Sequence, residues 1–213
     1  MRVINVGAGT GNYEPRDATV LAVEPSATML AQRSARAAPA VQGVAEALPV
    51  PDDAFDAALA ILTVHHWSDP GKGLRELARV ARRQVVVTWD PEASSRHWLH
   101  RDYLPELLAH EASLSSLADV LGELDVRDVV VMEVPRGCAD GFMSAQWASP
   151  ADYLDPAVRA GMSGLSLLDQ DVVNDAMARL AHDLEDGTWE RRNAELATLT
   201  SLDTGFRLVV AGS

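Results

Sequence analysis

Short apolar runs at residues 2–6, 19–24, 40–44, 56–64 and 84–90 alternate with helical patterns through the first part of the chain. Runs of that length between helices mark the strands of a parallel sheet covered on both faces. The pattern predicts a helix over 26–35, with Ser26 as its N-cap, and another over 71–81, where Leu74, Leu77, Ala78 and Ala81 form one apolar stripe. A longer helical region is read over 98–121, interrupted at Pro105 and near Ser113, followed by a sixth strand over 126–134 and a seventh over 206–211. Only residues 12–18 separate Gly11 from the second strand, with Pro15 in the middle. A crossover helix needs about ten residues or more, so at most one helical turn is expected there.

Between the sixth and seventh strands, residues 137–204 are polar and irregular, broken by Pro150, Pro156, Gly161, Gly164 and Gly187. We read this stretch as a helical insertion in a single domain spanning 1–213, whose core is 1–136 with 205–213. A sixth strand parallel to the first five would end at the carboxyl edge of the sheet, where open α/β sheets bind ligands, so the insertion is expected to roof the ligand site. Phe142, Trp147, Tyr153 and Trp189 are expected to anchor it to the sheet; lining an apolar acceptor site is the alternative.

Composition removes several function classes. With 18 basic and 31 acidic residues the net charge is -13, which repels phosphate backbones. The short arginine-rich stretches, from Arg75 to Arg83 and at Arg191 and Arg192, read as solvated helix faces, so no nucleic-acid partner is expected. No run of eighteen apolar residues and no signal-peptide pattern is present, so neither a membrane span nor secretion is expected. Cys138 is the single cysteine, which fits a reducing, cytoplasmic setting and leaves no thiolate cluster. His97 and His100 share a helix face while His110 lies three turns away without a completing carboxylate, so no metal is expected.

The segment Val3-Ile4-Asn5-Val6-Gly7-Ala8-Gly9-Thr10-Gly11 carries a strand straight into glycines at alternate positions. A side chain at Gly7 or Gly9 would block backbone approach to a bound nucleoside, and glycine tolerates the positive φ of such a turn. A dinucleotide site would carry G-x-G-x-x-G, and its third glycine position is Asn12 here. Glu24, at the end of the second strand, is placed to accept hydrogen bonds from both hydroxyls of an adenosine ribose, which either cofactor class would use.

A third segment separates the two classes: Val44-Ala45-Glu46-Ala47-Leu48-Pro49-Val50, then Pro51-Asp52-Asp53-Ala54-Phe55-Asp56. With the glycine loop and Glu24-Pro25-Ser26-Ala27-Thr28-Met29-Leu30, it resembles the class I S-adenosylmethionine-dependent methyltransferases, in particular the ubiquinone and menaquinone methyltransferase group. The family patterns are D-V-G-x-G-x-G, D/E-x-S-x-x-M-L and D-A-E-x-L-P-F followed by F-D, and they match in order and spacing over residues 1 to about 90. The resemblance implies a doubly wound, Rossmann-like α/β fold of seven strands in the order 3-2-1-4-5-7-6 with the last strand antiparallel. It also implies S-adenosylmethionine as cofactor, S-adenosylhomocysteine as product and a small-molecule acceptor. On this resemblance Gly7, Gly9 and Gly11 approach the methionine part and ribose, Glu24 holds the ribose and Ala45 with Glu46 borders the adenine; Asn5, Ala8, Pro25 and Thr63 complete the cofactor set.

Two motif positions depart from the pattern. Asn5 keeps an acceptor oxygen but lacks the family's charge, and Val44 replaces the aspartate opposite the adenine amino group. Relatives of this kind also carry upstream helices that cover the cofactor, whereas strand one here begins at the start of the chain. Lacking that cover, this form is expected to bind cofactor weakly and to self-associate into a homo-oligomer through its uncovered apolar edge.

Methyl transfer from a sulfonium is an in-line displacement that requires positioning and exclusion of water, with a base where the acceptor must lose a proton. His65 and His66 follow the fourth strand at the ligand edge, one of them facing the cleft, as candidate base or acceptor-positioning residue; the alternative is that both hold the loop. Trp89 and Asp90 close strand five at the same edge, with packing as the expected role of Trp89. Two other readings stay open: a catalytically degraded binding protein on this fold, which Asn5 and Val44 favour, and an NAD-dependent oxidoreductase.

Overall fold

The computed structural model describes residues 1–114 and 116–213. Its strands are β1 (Arg2–Val6), β2 (Thr19–Glu24), β3 (Ala40–Gln42), β4 (Phe55–Ile61), β5 (Ala81–Trp89), β6 (Val126–Val131), β7 (Val134–Pro135), β8 (Ser201–Leu202) and β9 (Phe206–Gly212). The α-helices are α1 (Ala27–Ala31), α2 (Pro70–Val80), α3 (Pro91–Ser94), α4 (Glu106–Glu111), α5 (Leu117–Glu123), α6 (Pro156–Arg159), α7 (Gln170–Glu185) and α8 (Thr188–Arg192). The chain divides into two compact units.

The first unit, residues 1–90, 116–131 and 207–213, holds a seven-stranded sheet of order β3-β2-β1-β4-β5-β9-β6. Counting only these seven strands, that is the 3-2-1-4-5-7-6 order expected from the sequence. β1 pairs in parallel with β2 and β4, β2 with β3, and β4 with β5. The last strand is antiparallel to β6. It also runs against β5: Ser213 N donates to Arg82 O at 2.9 Å, while at the opposite ends Arg207 pairs with Asp90 at 3.2 Å.

One face of the sheet is covered by α2 and α5. Asp69 caps α2 by accepting from Lys72 N at 2.9 Å, and Pro70 occupies its first turn, where a missing N–H costs nothing. Its buried stripe is Gly73, Leu74, Leu77 and Val80, packed on Ile4, Val6, Ala58 and Val86. Val80 is buried in this stripe while Ala78, expected there, is exposed; α2 stops one residue early, and the buried Ala81 pairs with Phe55 as the first residue of β5.

The β1 to β2 connection contains turns and no helix among the described residues. α1 is also shorter than the 26–35 expected: Ser26 caps it through Met29 N, but it ends at Ala31. Arg33 leaves the helical path to bury its guanidinium against Glu14, and Ala38 N closes the same knot on the Glu14 carboxylate at 2.7 Å.

The second unit comprises residues 91–114 and 132–206. Residues 91–114, assigned to the sheet core on sequence, pack with the irregular stretch instead. Trp98, Leu99, Tyr103, Leu104 and Leu107 share a core with Trp147, Tyr153 and Trp189. The Trp98 ring makes edge contacts with Tyr153 and Trp189 at 5.3 Å, and its Nε1 donates to Trp147 O at 2.8 Å. α7 buries Val173, Ala176, Met177 and Leu180, the i, i+3, i+4, i+7 face of an amphipathic helix. The expected sixth strand is divided: β6 stays in the large sheet, and β7 pairs antiparallel with β8 in the second unit. Among the described residues no helix is long and apolar enough to cross a membrane.

Candidate functional site

The carboxyl ends of β1, β2 and β4, with the loop after β3, surround a cavity of about 710 Å³ that lies wholly within the first unit. Beyond Val6 the chain turns at Gly7, with φ of +70°, and the Gly7 and Ala8 amides both donate to Val23 O, at 2.8 and 3.1 Å. A Cβ on Gly7 would collide with the Thr63 hydroxyl, so the glycine lets β1 and the end of β4 meet. At Gly9, with φ of +53°, no atom lies within 4 Å of where a Cβ would stand. Gly9 is thus a bare stretch of backbone bordering the cavity.

Glu24 ends β2 with its carboxylate held from two sides: Gly9 N donates to one oxygen at 2.8 Å and Ser26 N to the other at 2.9 Å. The residue is 7% exposed and lines the cavity. Each oxygen keeps a lone pair, so the carboxylate is oriented and still able to accept from a ligand's hydroxyls.

Glu46 has a different task. Its carboxylate accepts from Ser68 N at 2.7 Å, Ser68 Oγ at 2.9 Å and Asp69 N at 3.1 Å, fastening the loop that leads into α2. Burial pushes its pKa up, but the hydrogen bonds from Asp69 and Ser68 outweigh that and hold the carboxyl below the usual carboxylate range. Val44, 47% exposed, presents an apolar side chain to the cavity where the motif carries an acid.

Of the residues chosen from sequence, Gly7, Ala8, Gly9, Glu24, Pro25, Ala45, Glu46, Thr63 and His66 line this cavity. Asn5, Gly11 and His65 do not. Asn5 is 2% exposed inside β1, paired in register with Ala22 and Leu59. Gly11 serves the turn, where a Cβ would press on Ala37 and Glu14. The two histidine rings touch, with centroids 3.8 Å apart, but His65 turns to the edge of Trp89 at 4.6 Å while His66 is exposed at the cavity. Burial, then the neighbouring His66, pushes the His65 pKa down to about 4, so His65 is neutral at neutral pH.

Sequence reasoning missed several lining residues, among them Tyr13, Met29, Gln32 and Leu62. Met29 had a signal, since it stands one helical turn after the Ser26 cap. Leu62 had none: its φ of +52° is set where β4 ends, with Leu62 N donating to Val87 O at 2.9 Å. Among the described residues no group of three or more His, Cys, Asp or Glu is arranged to hold a metal ion.

Fold and site together define a doubly wound α/β domain with a cavity at the carboxyl edge of its parallel strands. A family model described as a methyltransferase domain matches residues 4–87. The crystal structure of a putative methyltransferase from an antibiotic biosynthesis pathway of Anabaena variabilis covers 100% of this chain and 90% of its own, with 31% identity and a TM-score of 0.89. A demethylmenaquinone methyltransferase of Mycolicibacterium paratuberculosis is 31% identical over 156 residues, 69% of this chain and 67% of that one. An uncharacterized methyltransferase of Bacillus subtilis is 36% identical over 93 residues, 38% of this chain; the match spans only 37% of that relative's length. The chain belongs to the class I S-adenosylmethionine-dependent methyltransferases.

Proposed function

We propose that the cavity at the ends of β1, β2 and β4 binds S-adenosylmethionine and that the chain transfers its methyl group to a small-molecule acceptor. The observation that carries this reading is the Glu24 carboxylate, fixed by Gly9 N and Ser26 N and presented to a cavity whose next wall is bare glycine backbone. A nucleoside fits there: Glu24 accepts from the ribose hydroxyls, Gly9 leaves room for the methionine part beside the Gly7 backbone, and Val44 with Ala45 forms an apolar border for the base. When bound, the cofactor supplies an electrophilic methyl group on a sulfonium. The protein's part is to hold an acceptor atom in line, within about 3–3.5 Å, and to keep water away.

His66 is the residue of the histidine pair placed to take a proton from an acceptor, since its ring borders the cavity. His65 backs it as a neutral ring held against Trp89. The names of two relatives, one acting on demethylmenaquinone and one from an antibiotic biosynthesis pathway, support a small-molecule acceptor.

The test is thermal denaturation with added ligands. Saturation with S-adenosylhomocysteine at about one hundred times its dissociation constant adds about 2.7 kcal/mol of stability and raises the melting temperature. NAD at the same concentration leaves it unchanged. An equal rise with NAD, or none with S-adenosylhomocysteine, contradicts the reading.

A further inference from the structure

The glycine loop is fastened on two sides, and only one of them is accounted for by the ribose carboxylate. Glu24 takes the Gly9 N–H; the Gly9 carbonyl accepts from Arg33 Nη1 at 3.0 Å. The same guanidinium pairs with Glu14 through Nη2, which also donates to Ala38 O at 3.0 Å. The other Glu14 oxygen accepts from Ala38 N at 2.7 Å. Both side chains are buried, 6% exposed for Arg33 and 8% for Glu14.

A buried ion pair persists where its remaining donors and acceptors are satisfied, and removing one partner leaves an uncompensated charge. Here the satisfying groups are backbone atoms, the Gly9 carbonyl of the loop and the carbonyl and N–H of Ala38 before β3. Gly9 and Glu14 are the two ends of one stretch, and Asn12 and Tyr13 between them line the cavity. In a parallel sheet a crossover helix ordinarily fixes the position of such a loop, and none lies between β1 and β2. One guanidinium, delivered from beyond α1, ties both ends of the stretch to the segment that leads into β3.

Resting on the cofactor reading above, we propose that the Arg33–Glu14 pair is a positioning device that substitutes for the missing crossover helix. It holds the Gly9 backbone and the Asn12–Tyr13 wall in the geometry that receives the nucleoside. Arg33 and Glu14 act through the loop and do not line the cavity.

Two measurements on the full chain test this. The first is amide hydrogen exchange without ligand, on wild type, Arg33→Met, Arg33→Lys and Glu14→Gln. The proposal expects exchange over residues 9–14 to accelerate at least tenfold in Arg33→Met and Glu14→Gln, less in Arg33→Lys, while amides of β4 and β5 stay at the wild-type rate. The second is S-adenosylhomocysteine titration at a temperature where circular dichroism shows each variant fully folded. Dissociation constants are expected to rise at least tenfold in Arg33→Met and Glu14→Gln, with Arg33→Lys in between. A purely structural pair would lower the melting temperature but leave both quantities unchanged in folded protein. Unchanged exchange over 9–14, or dissociation constants within twofold of wild type, overturns the proposal. Should Arg33→Met fail to fold, the near-isosteric Glu14→Gln decides. Should wild type bind no S-adenosylhomocysteine, the cofactor reading fails, and the exchange experiment alone decides the role of the pair.

Discussion

Gly7 and Gly9 both sit at positive φ, but for different reasons, and substitution separates them. A Cβ on Gly7 meets the Thr63 side chain behind the loop, whereas one on Gly9 meets nothing within 4 Å. Gly9→Ala is expected to cost about 1–2 kcal/mol from backbone strain alone. Gly7→Ala adds a clash and a displaced β4 end, and is expected to cost more, in the range of about 2–4 kcal/mol. Urea unfolding of the two variants measures the difference, and equal losses would remove the argument that Thr63 sets the floor of the loop. At this scale the sequence is informative where chemistry is local. Gly7, Gly9 and Glu24 are legible because a strand running into alternate glycines, and an acid at the end of the next strand, permit few arrangements. Asn5 shares the first of those segments and His65 follows β4 at the same edge, yet neither lines the cavity, since strand register and the ring contact with Trp89 decide where they point. Tyr13 and Gln32 line the cavity beside the two partners of the buried Arg33–Glu14 pair, a contact distant in sequence that no pattern within either segment announces.

Among the elements, α2 is legible because cap, proline and apolar period agree, and the short α1 is not, because a single buried arginine ends it. The second unit's elements are held by aromatic packing and buried polar groups. Trp147 is fully buried and its Nε1 donates to Val134 O at 3.0 Å, so Trp147→Ala is expected to cost about 3–5 kcal/mol in urea unfolding. His97 gives this unit an acid limit. It is 3% exposed, and burial first, then the charges of His100 and Arg101, pushes its pKa down to about 3. In the unfolded chain it protonates near pH 6.5, so between 6.5 and about 3 the unfolded state binds a proton that the folded state refuses. Its contribution is therefore fully present above pH 6.5 and is lost as pH falls, by about 1.4 kcal/mol per pH unit, or about 2 kcal/mol at pH 5. Urea unfolding followed by the fluorescence of Trp98, Trp147 and Trp189 at pH 7 and pH 5 checks this. His97→Phe should narrow the difference between the two pH values, and an unchanged difference would assign the acid sensitivity elsewhere.

For the whole molecule, sheet order was legible and unit membership was not. The strand order was implied by the family resemblance that the motifs of the first ninety residues carry, and the observed order agrees with it. That residues 91–114 belong with 132–206 depends on contacts such as Trp98 with Trp189, which are distant in sequence and satisfy no local period. The first unit alone contains the cavity and every residue invoked for cofactor binding, so the central claim is tested there. The most direct test is isothermal titration of S-adenosylhomocysteine into wild type and Glu24→Ala, with NAD as control. The account predicts one site per chain in the wild type, no heat with NAD, and a loss of about 1–3 kcal/mol in Glu24→Ala, roughly a five- to 150-fold rise in dissociation constant. Binding that is unaffected by Glu24→Ala, or a wild type that responds equally to NAD, would contradict it.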